Sequence, residues 1–165
     1  METPVDQQYY RDKTQLEYRA QGIMNSWYQS HGFEIVSREG TRKQDLILAR
    51  AGIQYKVEEK YREKDYGDFL VEIIQDAISN NPGWFYSESF DRMSYVILCG
   101  YKPKIIYWIH WGNFKEWFFN YLSNNKRQTA VISPAGYGLT INISVPWGVI
   151  PTTVVKRYDY EESES

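Results

Sequence analysis

The residues whose types and spacing could do chemistry lie in one stretch, Gln44 to Tyr61. Two runs of strand composition flank Ala51-Gly52, and a two-residue turn there sets Asp45 directly opposite Glu58. The same register places Leu46 against Val57 and Leu48 against Tyr55, so the other face of the hairpin is apolar, as a half-buried hairpin requires. Cross-strand partners share a face, which brings the two carboxylates to about 5 Å at Cβ. At an effective dielectric near 20, their repulsion is on the order of 3 kcal/mol. A divalent cation or an ammonium group would compensate it, and Lys60, two residues past Glu58, points to the same side. Paired carboxylates with a following lysine suit a hard cation and a reacting phosphate. They equally make a plain salt-bridge ladder on a solvated strand face.

The elements that would position this stretch follow from periodicity. Residues 1–12 are polar with no period, a loose lead-in. A helix starts at Thr14, with an apolar stripe at Leu16, Ala20, Ile23 and Trp27 and a stop at His31-Gly32. Glu17 and Tyr28 lie on another flank, and Thr14-x-x-Glu17 also reads as a capping box. Phe33 to Ser37 is a first strand, and Arg38 to Lys43 the loop leading into the hairpin. A second helix is predicted near Tyr66 to Ser79, with Phe69, Leu70, Ile73, Ala77 and Ile78 inward and Glu72, Asp76 and Ser79 outward, ended by Asn80-Asn81-Pro82-Gly83. Met93 to Cys99 and Ile105 to His110 are strands, the first apolar enough to be covered on both faces. Phe114, Trp117, Phe118, Tyr121 and Leu122 recur at helical spacing, giving a helix over 113–122. Late strands are expected at Thr129 to Ser133, Leu139 to Val145 and, short, at Thr152 to Val155.

Composition bounds the function classes. With 165 residues, 42% of them hydrophobic and 17% aromatic, the chain fits one domain, 1–157, with a core over about 14–122, late strands over 129–155, and a disordered acidic tail, 158–165. No apolar run is long enough to span a membrane and no secretory leader is visible, so the expected compartment is the cytoplasm. One cysteine, Cys99, and two histidines, His31 and His110, cannot build a cysteine/histidine zinc site. A formal charge of −2 argues against a generic basic nucleic-acid binder. Between Arg38 and Lys64, however, eight basic residues outnumber five acidic ones, so a polyanion could be tolerated around the hairpin. The aromatic series Trp108, Trp111, Trp117, Phe118 and Phe119 reads as core and helix packing.

The order helix, strand, hairpin with Asp and Glu-x-Lys, helix, strand resembles the PD-(D/E)XK nuclease superfamily, the restriction-endonuclease-like fold. Asp45 matches the single aspartate, Glu58 and Lys60 the Glu-x-Lys triplet, and Glu17 the first-helix carboxylate of resolvase-like members. The stretch from Gly32 to Asp45 is similar to the approach to the site in those resolvases. Gly83-Trp84-Phe85 and Phe90 to Tyr95 resemble further segments of some members. The likeness covers about Thr14 to His110. Gln44 stands where the motif's name has proline, and Glu59 fills the middle of the triplet where an apolar residue is usual.

The resemblance implies an α/β chain with a restriction-endonuclease-like core, a mixed β-sheet flanked by helices. It implies a Mg²⁺- or Mn²⁺-dependent endonuclease acting on DNA, the cation held by Asp45 and Glu58 with the Glu59 carbonyl. Lys60 would orient the nucleophile or stabilise developing charge. Glu17, Glu72 and Gln75 would be outer groups, and Arg42, Lys43, Tyr61 and Arg62 would grip the nucleic-acid backbone. By analogy, two cuts by a nuclease of this size call for a homodimer. Two other readings stay open: a nuclease-fold domain without turnover that docks nucleic acid or a protein partner, and an interaction module built on exposed aromatics. On the register above, Glu59 points into the apolar face, unless it sits at a wet sheet end or a bulge turns it to the site.

Overall fold

A computed structural model describes residues 4–39, 45–86, 89–124, 130–135 and 138–162; the side chains of 4–6, 10, 39, 45, 130–135 and 138 lie outside that description. The chain is mixed α/β. In order, its elements are α1 (Pro4–Ser30), β1 (Glu34–Glu39), β2 (Asp45–Arg50), β3 (Ile53–Arg62), β4 (Asp68–Asp76), β5 (Asn81–Pro82), β6 (Arg92–Cys99), β7 (Lys102–His110), α2 (Trp111–Asn124), β8 (Ala130–Ala135), β9 (Gly138–Pro146) and β10 (Val155–Asp159). Short 3₁₀ turns occur at Trp84–Tyr86 and Trp147–Val149. Among the described residues no helix is long and apolar enough to cross a membrane.

Two compact units are distinguishable along the chain. The first comprises residues 1–65, 90–110 and 156–165. It contains a mixed six-stranded sheet in the order β1-β2-β3-β6-β7-β10. The pairs β1/β2, β2/β3 and β6/β7 are antiparallel, and β3 pairs with β6 in parallel. Helix α1 covers one face, where Ala20, Met24, Trp27 and Tyr28 meet Leu46, Leu48, Val57, Val96, Leu98 and Ile106 in one buried cluster. On the other face Met93, Tyr95, Ile97, Ile105, Tyr107 and Ile109 are also buried, so the expectation that the first of these strands is covered on both sides holds.

The second unit comprises residues 66–89 and 111–155. Its antiparallel sheet runs β5-β4-β9-β8, and its core is aromatic. Phe69 stacks on Trp147 at 5.0 Å and meets Phe114 edge-on at 5.1 Å. Trp111, Phe114 and Phe118 form the buried face of α2, in keeping with the packing role read for them, whereas Phe119, expected to pack with them, is 55% exposed.

The hairpin turn forms as expected, with Ala51 at φ 52° and Gly52 at φ 77°. Two consecutive positive φ values match the right-handed twist of the flanking strands, and glycine takes such a value without strain. Four expectations fail. Helix α1 begins at Pro4, not Thr14, so Thr14 is interior and no capping box forms there; proline is tolerated in a first turn, and the polar residues after it are adequate helix formers. The segment expected as a second helix is strand β4. Its buried residues Phe69 and Val71 alternate, and the β-branched Val71, Ile73 and Ile74 suit a pleated surface better than a helix. The short strand expected at Thr152 to Val155 starts only at Val155. Tyr158 and Asp159, expected in the tail, end β10; Tyr158 packs against the core beside Trp27, and the Tyr160 N–H donates to the Lys104 carbonyl at 3.0 Å.

Candidate functional site

The predicted register is the observed one, from Arg50↔Ile53 through Leu48↔Tyr55 to Leu46↔Val57. The observed ladder ends at Leu46↔Val57, one step short of Asp45 and Glu58. The Asp45 backbone belongs to β2 and pairs with Glu39 of β1; its side chain is outside the described residues. Glu58 and Lys60 lie on the face away from α1 and pair with each other, Lys60 Nζ to Glu58 Oε1 at 3.1 Å, with side chains 26% and 34% exposed. Arg42 and Lys43 fall outside the described residues. Glu72 belongs to the second unit, where its Oε1 accepts from the Trp84 N–H at 3.2 Å, and Gln75 is exposed on the same strand. Among the described residues no group of three His, Cys, Asp or Glu side chains converges as a metal cluster.

Glu59 is the centre of a different arrangement. One residue out of phase with Glu58 and Lys60, it points under α1. There the Arg38 guanidinium grips its carboxylate from two nitrogens, Nη1 to Oε1 and Nη2 to Oε2, the latter at 3.3 Å. The Tyr28 hydroxyl donates to Oε2 at 2.7 Å. That hydroxyl has one proton, so Ser94, whose Oγ is 2.7 Å away, donates to it in turn. Arg38 Nε donates to Asn25 Oδ1 at 2.7 Å. Arg38 and Glu59 side chains are only 17% and 6% exposed, so this is a buried, forked ion pair with most of its hydrogen bonds made. Neither the wet sheet end nor the bulged active site expected for Glu59 occurs; its side chain is occupied on the face opposite Glu58.

A bulge does act here, in β1. The β1/β2 register shifts between Ile35 and Ser37: Ile35 lies opposite Leu48, and Arg38 opposite Leu46. Without the extra residue, Ser37 would share the face of Ile35. With it, Arg38 does, and the cation reaches Glu59.

The electrostatics follow from burial. Burial, then the Glu59 charge, pushes the Tyr28 hydroxyl well above the usual phenol range. Tyr61 is pushed up by the same two causes. Its ring packs on the core, and its buried hydroxyl lies near Glu59 without a hydrogen bond of good geometry. Tyr61 is therefore not presented outward to a nucleic acid as expected. Burial alone would lower the Arg38 value, but the bonds and charge of Glu59 raise it overall.

Glu17 is brought into electrostatic reach of Lys60, Glu63 and Tyr61. Burial raises its carboxyl above the ordinary value, against the pull of Lys13 and Lys60. The folded chain therefore holds this proton to higher pH than the unfolded chain does. That costs stability at neutral pH; the cost shrinks as pH falls through the folded value and vanishes below the unfolded one, near ~4.3. Glu17→Gln is expected to raise the urea midpoint at pH 7 and to match the wild type below pH 4; a gap of constant size at every pH would refute this.

Tyr28, Ser94, Asn25 and Arg38 were not among the residues singled out from the sequence. Tyr28, read from the sequence as lying off the apolar stripe, is buried with Met24 and Ala20, which it follows at spacings of four and eight on one helix face. No family model matches this chain, and no curated protein or solved structure does either.

Proposed function

We propose that the chain is a metal-dependent nuclease hydrolysing DNA phosphodiester bonds on a restriction-endonuclease-like core, with Asp45, Glu58 and Lys60 at its centre. The observation that carries this reading is the hairpin register, observed as far as Leu46↔Val57, the pair next to Asp45 and Glu58, together with the Lys60–Glu58 ion pair. The order α1, β1, hairpin β2/β3, then a parallel strand β6, supports it too, although the crossover carries β4 and β5 where a helix was expected.

Carboxylates such as those of Asp45 and Glu58 are hard oxygen donors of the kind Mg²⁺ or Mn²⁺ takes, with the remaining positions left to water. Such an ion would supply positive charge to a phosphate and make water more acidic. Lys60 contributes a point charge beside Glu58 that can hold a phosphate oxygen or orient water. Glu17 stands within electrostatic reach of Lys60.

A second reading is favoured by the same ion pair. Glu58 already has a counter-charge in Lys60, so a nuclease-fold domain that binds nucleic acid or protein without cutting would also keep this geometry. Incubation with plasmid, branched and single-stranded DNA plus Mg²⁺ or Mn²⁺ separates the two. Cleavage is expected, with Asp45→Ala and Lys60→Ala each slowing it by at least ~100-fold. No cleavage of any substrate, or undiminished cleavage by both variants, would sink the nuclease reading.

A further inference from the structure

Arg50, at the turn end of the hairpin, and Arg92, on β6, have no carboxylate partner among the described residues. Arg50 lies over the Phe33 ring at 4.2 Å and Arg92 over the Tyr55 ring at 5.1 Å. Those rings are neighbours, their centroids 6.1 Å apart. The register explains the convergence. Arg50 and Tyr55 belong to the face that carries Leu48 and Val57, and Arg92 pairs with Val57 across the parallel β3/β6 ladder, so all three share the α1 side of the sheet. Trp108 and His110 follow on β7, opposite Ser94 and Arg92, and Trp108 lies 5.5 Å from Phe33.

Among the described residues neither guanidinium forms an ion pair. Arg50 Nη1 reaches the His31 carbonyl at 3.5 Å, and Arg92 Nη1 donates to the Asp91 carbonyl at 3.0 Å. The carboxylate of Asp91 accepts from the Lys56 N–H at 3.0 Å. Burial, then the Arg92 charge, lowers the His110 value against the opposing pull of its own backbone and of Asp91. A stacked guanidinium keeps its edge donors free in a fixed plane, which suits phosphate oxygens.

We propose that Arg50 and Arg92, on their floor of Phe33, Tyr55 and Trp108, bind the phosphate backbone of a single-stranded nucleic acid. This rests on the reading that the chain handles nucleic acid and narrows its substrate to one with a single-stranded arm. Arg50 lies about 17 Å along the hairpin from its Glu58 end, and Arg92 lies opposite Val57, next to Glu58; the patch and Glu58 occupy opposite faces of the sheet. A flexible single strand can turn around the sheet end between them where a stiff duplex cannot. A positively charged groove that tracks the backbone is one general means of holding single strands without sequence preference.

The test is fluorescence anisotropy with a labelled oligonucleotide of about 30 nucleotides, single-stranded or duplex, without divalent metal, across about 50 to 200 mM salt. For single strands the Arg50→Gln/Arg92→Gln variant is expected to lose roughly 25-fold affinity near 0.1 M salt and about 1.4 of the log–log salt slope. Arg50→Lys/Arg92→Lys keeps the charge, so it is expected to keep the slope; it also serves if the glutamine variant melts early. Arg11→Gln/Lys13→Gln, exposed on α1, is the control for general charge loss and is expected to bind nearly as wild type. Wild type that binds no single strand, or affinity and slope unchanged in the glutamine variant, overturns the proposal. An equal loss on duplex overturns the single-strand assignment. Loss of binding in this variant, in a chain that never cleaves, leaves the patch standing and removes the nuclease reading; cleavage lost in Asp45→Ala with binding indifferent to Arg50 and Arg92 does the reverse.

Discussion

Arg38→Met is expected to lower the free energy of unfolding by about 3–5 kcal/mol, because it strands the Glu59 carboxylate under α1 with its charge uncompensated. The side-chain exposures of 17% and 6% leave little solvent to screen the pair. Tyr28 would remain as a donor, but one phenol cannot replace a forked guanidinium. The double change Arg38→Met/Glu59→Leu is expected to recover most of the loss, since removing both charges leaves an apolar site of similar volume. Urea unfolding of the three variants measures it. A cost below 1 kcal/mol for Arg38→Met, or a double variant no better than the single one, would show that the pair is solvated and that Glu59 tolerates solitude.

Gly83→Ala is the second large effect. A Cβ there would lie 2.3 Å from the Glu72 carbonyl oxygen, 2.6 Å from its carbon and 2.8 Å from the carbonyl carbon of Ile73. These are backbone atoms at the irregular part of β4, where the register with β9 shifts between Glu72 and Ile74. The Gly83 N–H donates to the Ile73 carbonyl at 2.8 Å, so the approach is held by a bond that a methyl group would lengthen or break. A cost of about 3 kcal/mol or more is expected. Gly22→Ala gives the contrast: nothing lies within 4 Å of its Cβ inside α1, and removing an interior helical glycine is expected to add about 1 kcal/mol. Thermal melts that move in opposite directions would bear this out. Coincident melts of Gly83→Ala and wild type would overturn it.

What the sequence disclosed depended on whether a pattern had one reading. The hairpin had one: turn residues, apolar partners and charge all agreed on a register, and the structure follows it. Strand β6 and helix α2 were equally legible, from a continuous apolar run and from aromatics at helical spacing. Asp68 to Asp76 had two readings. Phe69, Leu70 and Ile73 fit a helix stripe, while Phe69, Val71 and Ile73 fit a strand, and the β-branched residues should have decided it. The setting of Glu59 had no local reading at all. Its position on the apolar face was legible, but its partner was not, because Arg38 shares that face only through an inserted residue in a strand 21 positions away. A bulge inverts parity for everything beyond it, and nothing in the run Ile35-Val36-Ser37-Arg38 announces one. For the same reason the positive rim at Arg50 and Arg92 escaped notice: it depends on a parallel pairing between segments far apart in the chain.

The interleaving of the two units has a consequence in time. Strand β7 ends at His110, and β10, its neighbour in the sheet, begins at Val155. During synthesis at about 5–20 residues per second, β7 therefore waits about 2–9 s for the strand that will cover its edge. Until then its row of backbone donors and acceptors is open to any other extended chain, and Trp27 lacks the ring of Tyr158 that finally rests 5.3 Å from it. The nascent protein is most vulnerable in that interval, and the emergence of β10 is what ends it.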